Sequence, residues 1–88
     1  MKKYELTIEW EIHDTRNEDK GFRTGTSKIM VETNDLSEVM QHAIDFARNV
    51  PSWEFERNGI NLEEYREYPR CTYYYRTELS KVDIKVVK

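Results

Sequence analysis

The residue types best suited to covalent or metal chemistry are few and far apart in this sequence. His13 and His42 are the only histidines, and Cys71 is the only cysteine. A thiolate nucleophile needs a nearby base; Arg70 beside Cys71 favours the thiolate but cannot act as that base. A structural zinc site needs four ligands at close pair spacing, which these residues lack. We therefore interpret Cys71 as a small strand residue near the core, and we expect no catalytic residue, no bound metal and no cofactor.

The remaining catalytic signatures are missing as well. The sequence contains no phosphate-binding loop, no dinucleotide fingerprint and no serine nucleophile elbow. Three glycines in 88 residues leave little backbone freedom for a loop around a substrate. Carboxylates are abundant, but Glu5, Glu9 and Glu11 are best explained as the solvent face of a strand. We predict that the protein is not an enzyme.

Aromatic residues in and just after the segment 51–70 exceed what one helix and one sheet face can hide. Tyrosine and tryptophan dominate the energetics of protein interfaces, and functional contacts often lie on irregular segments. The candidate protein-binding residues are Trp53, Phe55, Tyr65, Tyr68 and Tyr74. Two uses stay open: contact with another protein, including a homodimer paired through an open sheet edge, or cover for the domain's own core.

A second hypothesis uses the cations and tyrosines that follow this segment. Aromatic and arginine side chains on an exposed sheet can stack single-stranded bases. The candidate nucleic-acid-binding residues are Arg70, Tyr73, Tyr75 and Arg76. Nucleic-acid-binding domains are usually basic, whereas the net charge here is -3. Nucleic acid is therefore the alternative partner, after another protein.

Two strands that begin the chain must position any such surface. Apolar residues alternate strictly with polar ones over residues 3–13, which predicts a strand with one buried face. Residues 14–21 carry turn-forming side chains and end at Gly21. A second strand is predicted over 22–33, with Gly25 marking a bulge or a twisted start.

A helix follows the second strand. Apolar residues recur there at helical spacing: Leu36, Val39, Met40, Ala43, Phe46, Ala47 and Val50. Asn34 or Asp35 is the predicted N-cap, and Glu38 would complete a capping box with Asp35. Pro51 ends the helix at about Asn49.

Residues 51–70 do not indicate one structure. Aromatic and acidic residues alternate from Trp53 to Glu56, which indicates a short strand. Residues 61–68 could instead form a short helical turn that is capped by Asn61 and limited by Pro69, with Leu62 and Tyr65 on one side. Loop, short strand and short helix all remain open for this irregular aromatic and acidic segment.

Two further strands complete the predicted fold. Residues 70–77 and 81–87 are rich in strand formers, and 78–80 would hold the turn between them. The prediction is a single α+β domain over 1–88: a two-layer fold with a four-stranded, mostly antiparallel sheet, element order β-β-α-β-β, and one amphipathic helix on one face. The predicted core joins the inner faces of sheet and helix, and includes Leu36, Met40, Ile84 and Val86.

Composition limits the setting and the partner class. No apolar run approaches the roughly 18 to 20 residues that span a bilayer, and no signal peptide is expected. A single cysteine favours the reducing cytoplasm. The protein is similar to small accessory proteins of bacteriophages and mobile elements in its small size, its 35% charged residues and its lack of catalytic motifs. This similarity is one of composition, and no motif supports it. It leads to the hypothesis that the protein is an interaction module that inhibits a host or defence protein.

Overall fold

A three-stranded antiparallel sheet forms the centre of the computed structural model, which describes residues 1–67 and 72–87. The strands are β1 (Lys2–Asp14), β2 (Phe22–Thr33) and β5 (Tyr75–Val87), in the order β2-β1-β5. Every second residue of β1 from Tyr4 to Asp14 is buried. The alternation predicted for the first strand is therefore confirmed, and one face of this central strand lies toward the core.

The helix α1 (Leu36–Arg48) packs on that face. Asp35 is its N-cap and accepts a hydrogen bond from the backbone N–H of Ser37 at 2.9 Å. Glu38 does not complete a capping box, because its carboxylate accepts from the Thr33 hydroxyl at 2.6 Å. The predicted helix start is confirmed, whereas the predicted partner of Asp35 is wrong. Among the described residues, no helix is both long and apolar enough to cross a membrane.

The segment after α1 is mostly helical in its described part. It contains a second helix, α2 (Ser52–Arg57), and a 3-10 turn at Leu62–Tyr65. Two short strands follow, β3 (Arg66–Glu67) and β4 (Thr72–Tyr73), which pair with each other in a separate antiparallel sheet. The open choice between loop, strand and helix thus resolves into a short helix, a tight turn and a minimal hairpin.

The predicted four-stranded sheet is wrong, although the α+β class, the antiparallel pairing and the single main helix are confirmed. The turn predicted at 78–80 does not exist, because β5 runs through it. Glu9 pairs with Lys81 and Trp10 pairs with Leu79, so Ser80 is an extra residue in a β-bulge. The bulge shifts the alternation of buried and exposed residues by one position. One long strand therefore has the sequence pattern of two short ones.

The helix α1 is too short to cover the sheet. Thirteen helical residues span about 20 Å, whereas a strand of the same length spans about 43 Å. The molecule is correspondingly elongated, with extents of 49 × 22 × 18 Å. Phe55 of α2 covers the Trp10 end of the sheet, with ring centroids 5.0 Å apart. On β5, Ile84 and Val86 were predicted to lie in the core but are 38% and 58% exposed, although Leu6 and Tyr4, with which they pair, are buried.

Candidate functional site

A chain of buried polar contacts joins the central strand to α2. The Trp10 side chain is fully buried, and its indole N–H donates to Ser27 Oγ at 3.0 Å. The Ser27 hydroxyl donates in turn to Glu54 Oε2 at 2.6 Å. Hydrogen bonds from the Arg57 guanidinium, followed by the one from Ser27, hold the pKa of Glu54 below its usual value. Glu54 therefore anchors α2 as a carboxylate over the Trp10 end of the sheet.

Side chains from the end of α2 also bind the outer edge of β2. Asn58 Oδ1 accepts from the backbone N–H of Thr26 at 2.9 Å, and Asn58 Nδ2 donates to the Thr26 carbonyl at 3.2 Å. Arg57 donates to the same carbonyl. A six-residue helix is too short to be stable by itself. These contacts fix α2 against β2 and occupy the edge of that strand at its middle.

The helix α2 presents Trp53 to solvent. Trp53 is 67% exposed, the largest exposed fraction of any aromatic side chain among the described residues. Phe55, two positions later, is about 200° further round the helix and lies in the core. The buried Phe55 and the polar clamp thus hold the backbone under Trp53, while the indole itself points away from the domain.

An open groove begins beside Trp53. Ser52 and Glu56, the residue before Trp53 and the residue one turn beyond it, line one side of the groove. The other lining residues come from the following turn and from β4. They are Gly59, Ile60, Asn61, Leu62, Glu63 and Tyr73. The helix that carries Trp53 therefore also contributes two residues to a concave surface with both apolar and acidic groups.

The other candidate protein-binding residues are placed differently. Phe55 and Tyr65 are buried and belong to the hydrophobic core, so they take the intramolecular role that the sequence left open. Tyr74 is half-buried, with the Arg16 guanidinium 5.8 Å from its ring centroid. Tyr68 lies outside the described residues. Of the five candidates, Trp53 is the one whose described side chain is largely exposed.

Two of the described candidate nucleic-acid residues, Tyr75 and Arg76, lie on opposite faces of one strand. Tyr75 lies on the core side of β5, with its ring centroid 5.6 Å from that of Phe55. Arg76, the next residue of the strand, is on the opposite face. Tyr73 belongs to β4, and its hydroxyl donates to a glutamate of the 3-10 turn at 3.0 Å. Arg70 lies outside the described residues.

A triad of ionisable side chains lies on the other face of the sheet. His13 Nε2 is 2.9 Å from Glu11 Oε2 and 3.3 Å from Glu78 Oε1. The hydrogen bond with His13 is the main cause that lowers the pKa of Glu11. The side chain of His13 is only 12% exposed and packs against Phe22 with ring centroids 5.0 Å apart. The triad contains no nucleophile, and its geometry is that of a histidine paired between two carboxylates.

Comparison with protein-family models, with curated proteins and with solved structures finds no match to this chain. The residues that hold α2 in place could not be predicted from the sequence. Asn58 precedes Gly59 and by sequence indicates only a turn, and Ser27 and Glu54 carry no motif. Ser27 and Glu54 are 27 residues apart, and Asn58 and Thr26 are 32 apart, so no local spacing in the sequence indicates either pair.

Proposed function

We propose that this protein is a non-enzymatic module that binds another protein, with Trp53 as the central contact. The observation that carries the proposal is a tryptophan 67% exposed to solvent on a helix that is clamped to the sheet. Tryptophan is among the residues most enriched in interface hot spots. A contact mounted on fixed backbone loses little conformational entropy on binding, so more of its burial energy appears as affinity.

The surroundings of Trp53 suggest the chemistry of the partner surface. An indole contact needs a pocket lined by apolar groups, since a hot spot is desolvated at the centre of an interface. Glu56 adds a carboxylate one turn from Trp53, and the protein has a net charge of -3. We therefore expect a partner with an apolar pocket and a basic rim, because complementary rim charges speed association.

The partner class rests on composition. The similarity to small accessory proteins of bacteriophages and mobile elements favours a host or defence protein, inhibited because this module occupies one of its surfaces. The single cysteine favours a reducing cytoplasm as the place of action. Both statements are part of the proposal and can fail without affecting the role of Trp53.

The experiment is quantitative capture from lysate, followed by titration of the purified partner. Trp53→Ala should weaken binding about 30-fold or more, since truncation of a hot-spot tryptophan costs about 2 kcal/mol or more. It should leave the circular dichroism spectrum unchanged, because the side chain is mostly exposed. Phe22→Ala is the matched control, because Phe22 is an exposed aromatic residue at the start of β2 and not on α2. Equal binding by wild type and Trp53→Ala would refute the proposal.

Single-stranded nucleic acid remains the alternative partner and has less support, because Tyr75 and Arg76 are on opposite faces of β5. A fluorescent oligonucleotide titrated at low salt tests it directly, since phosphate contacts are strongest there. Binding that is lost in Arg76→Ala and kept in Trp53→Ala would replace the proposed function with the alternative.

A further inference from the structure

The two edges of the sheet differ in how they are protected. The β2 edge is occupied at Thr26 by the side chains of Arg57 and Asn58. The β5 edge has a strand partner only on its β1 side within the described sheet. Over positions 81–87, the side chains of the described residues make no hydrogen bond to the β5 backbone. An open edge of this kind is a template for pairing with another strand.

The open part of β5 is also where apolar side chains reach solvent. Ile84 and Val86 lie on the core side of the sheet, opposite Leu6 and Tyr4, yet both are more than one third exposed. The helix α1 packs against β5 and adds two exposed apolar side chains of its own, at Leu36 and Met40. A strand added to this edge would extend the sheet and cover the flank of Ile84 and Val86.

We propose that β5 pairs antiparallel with β5 of a second copy, about a two-fold axis at Ile84. Residues 81–87 of the two copies then form one ladder, and the two sheets join into a continuous six-stranded sheet. Asp83 lies opposite Lys85 of the second copy, and the two-fold axis repeats this pair. On the core side, Val82 lies opposite Val86, and the two Ile84 side chains meet at the axis. Every inward-facing pair is apolar, and both Asp83–Lys85 pairs join opposite charges.

Neighbouring registers lack this match. An axis at Asp83 places the two aspartates opposite each other and sets Lys81 against Lys85. An axis at Lys85 places the two lysines opposite each other. An axis at Val82 extends the ladder across the bulge at Ser80, where regular pairing is interrupted. Because like charges directly opposite are destabilising and opposite charges are stabilising, the register at Ile84 is favoured.

The lysines of β5 also explain why such an edge would not pair indiscriminately. Lysine on an edge strand normally discourages pairing, since its charge would have to face another strand. Here Asp83 supplies that charge partner in the register at Ile84. It would also face Lys81 in the register at Val82, which the bulge at Ser80 interrupts. Charge pattern and bulge together favour one register between two copies of the same strand.

The test is the mass of the protein in solution, measured by sedimentation equilibrium across a wide concentration range. The wild-type chain should show a concentration-dependent dimer. Asp83→Lys and Lys85→Asp each place like charges opposite one another, and each should weaken the dimer about tenfold or more. An equimolar mixture of these two variants should dimerise again, because both cross-strand pairs become opposite in charge. Lys28→Asp on β2 makes the same charge change on the other edge and should leave the dimer intact.

A cross-linking experiment tests the register separately. Residues directly opposite in an antiparallel pair have Cα atoms about 4.5 to 5.5 Å apart, within reach of a disulfide. Ile84→Cys in a Cys71→Ser background should therefore oxidise to a covalent dimer, whereas Lys28→Cys should not. This readout remains available if the charge variants fail to fold.

Three results would overturn the proposal: a wild-type monomer at every concentration, charge variants that dimerise as tightly as wild type, or no cross-link at position 84. Trp53→Ala should leave the dimer unchanged, because Trp53 lies on α2 and not on the β5 edge. Loss of partner binding and loss of self-association are therefore separable, and either can fail without the other.

Discussion

Gly25 should be the least replaceable glycine of the chain, because it faces Trp10 across the β1–β2 pair. A Cβ atom at position 25 would lie 2.9 Å from Trp10 Cε2 and still nearer to two other atoms of the ring. The ring cannot easily move aside. Its N–H donates a hydrogen bond to Ser27, and the ring packs in a T-shaped arrangement against Phe55, with centroids 5.0 Å apart. The Gly25→Ala change therefore forces a rearrangement of the core.

Two opposing contributions determine the size of the effect. Alanine in a strand gains about 0.5 to 1 kcal/mol over glycine, because the unfolded chain has less freedom to lose. Overpacking a close-packed core costs about 1 to 3 kcal/mol, and a clash with a fully buried indole belongs at the upper end. We expect a net loss of about 2 kcal/mol in the free energy of unfolding. For a domain of this size, that loss lowers Tm by roughly 10 °C.

The assay is urea unfolding monitored by far-ultraviolet circular dichroism. This readout avoids tryptophan fluorescence, to which the exposed Trp53 would contribute. In a double-mutant cycle, Trp10→Phe should recover part of the loss caused by Gly25→Ala, since the smaller ring leaves room for the methyl group. Gly59→Ala is the control: its φ is 73° and no atom lies within 4 Å of the added Cβ, so Trp10→Phe should not change its cost. A Gly25→Ala protein as stable as wild type, or a cycle without coupling, would refute the reasoning.

Two further predictions concern the polar chain under α2. Ser27→Ala should lower the free energy of unfolding by about 1 to 3 kcal/mol, because it leaves the buried Trp10 N–H without its acceptor; an unchanged urea midpoint would contradict this. Acid should destabilise the fold, because the folded state holds the pKa of Glu54 below 4.5 and so binds its proton less tightly than the unfolded chain does. The contribution of Glu54 is present above pH 4.5 and lost as the pH falls through the lowered pKa. A urea midpoint measured at decreasing pH should fall less steeply in Glu54→Gln than in wild type.

The regular elements were predictable because their patterns are local. In β1 and in α1, whether a residue is buried can be predicted from the residues a few positions before and after it. The α2 helix was not predictable in this way. Over only four residues, from Trp53 to Glu56, a two-residue alternation and a helical repeat place side chains in nearly the same directions, because two helical steps make about 200°. Only the contacts of Phe55 with the core decide between them.

The candidate site was predicted in part, through Trp53. The exposure of Ile84 and Val86 was not predicted, because their alternation matches that of a buried strand. Burial also depends on whether another layer reaches them. Tyr4, which pairs with Val86, is buried, so this end of the sheet is covered at β1 and exposed only along β5.

The pairing of β1 with both β2 and β5 has a consequence for how the chain folds. The β1–β2 hairpin joins residues close in sequence, whereas the β1–β5 ladder joins Asp14 to Tyr75 and Lys3 to Val87, positions 61 and 84 residues apart. Closing loops of this length is entropically costly, so high contact order slows folding. During synthesis β1 emerges first and has only one neighbour until β5 follows. The central strand of the finished sheet is therefore an edge strand for most of the time the protein is being made, which is when we expect it to depend most on chaperones.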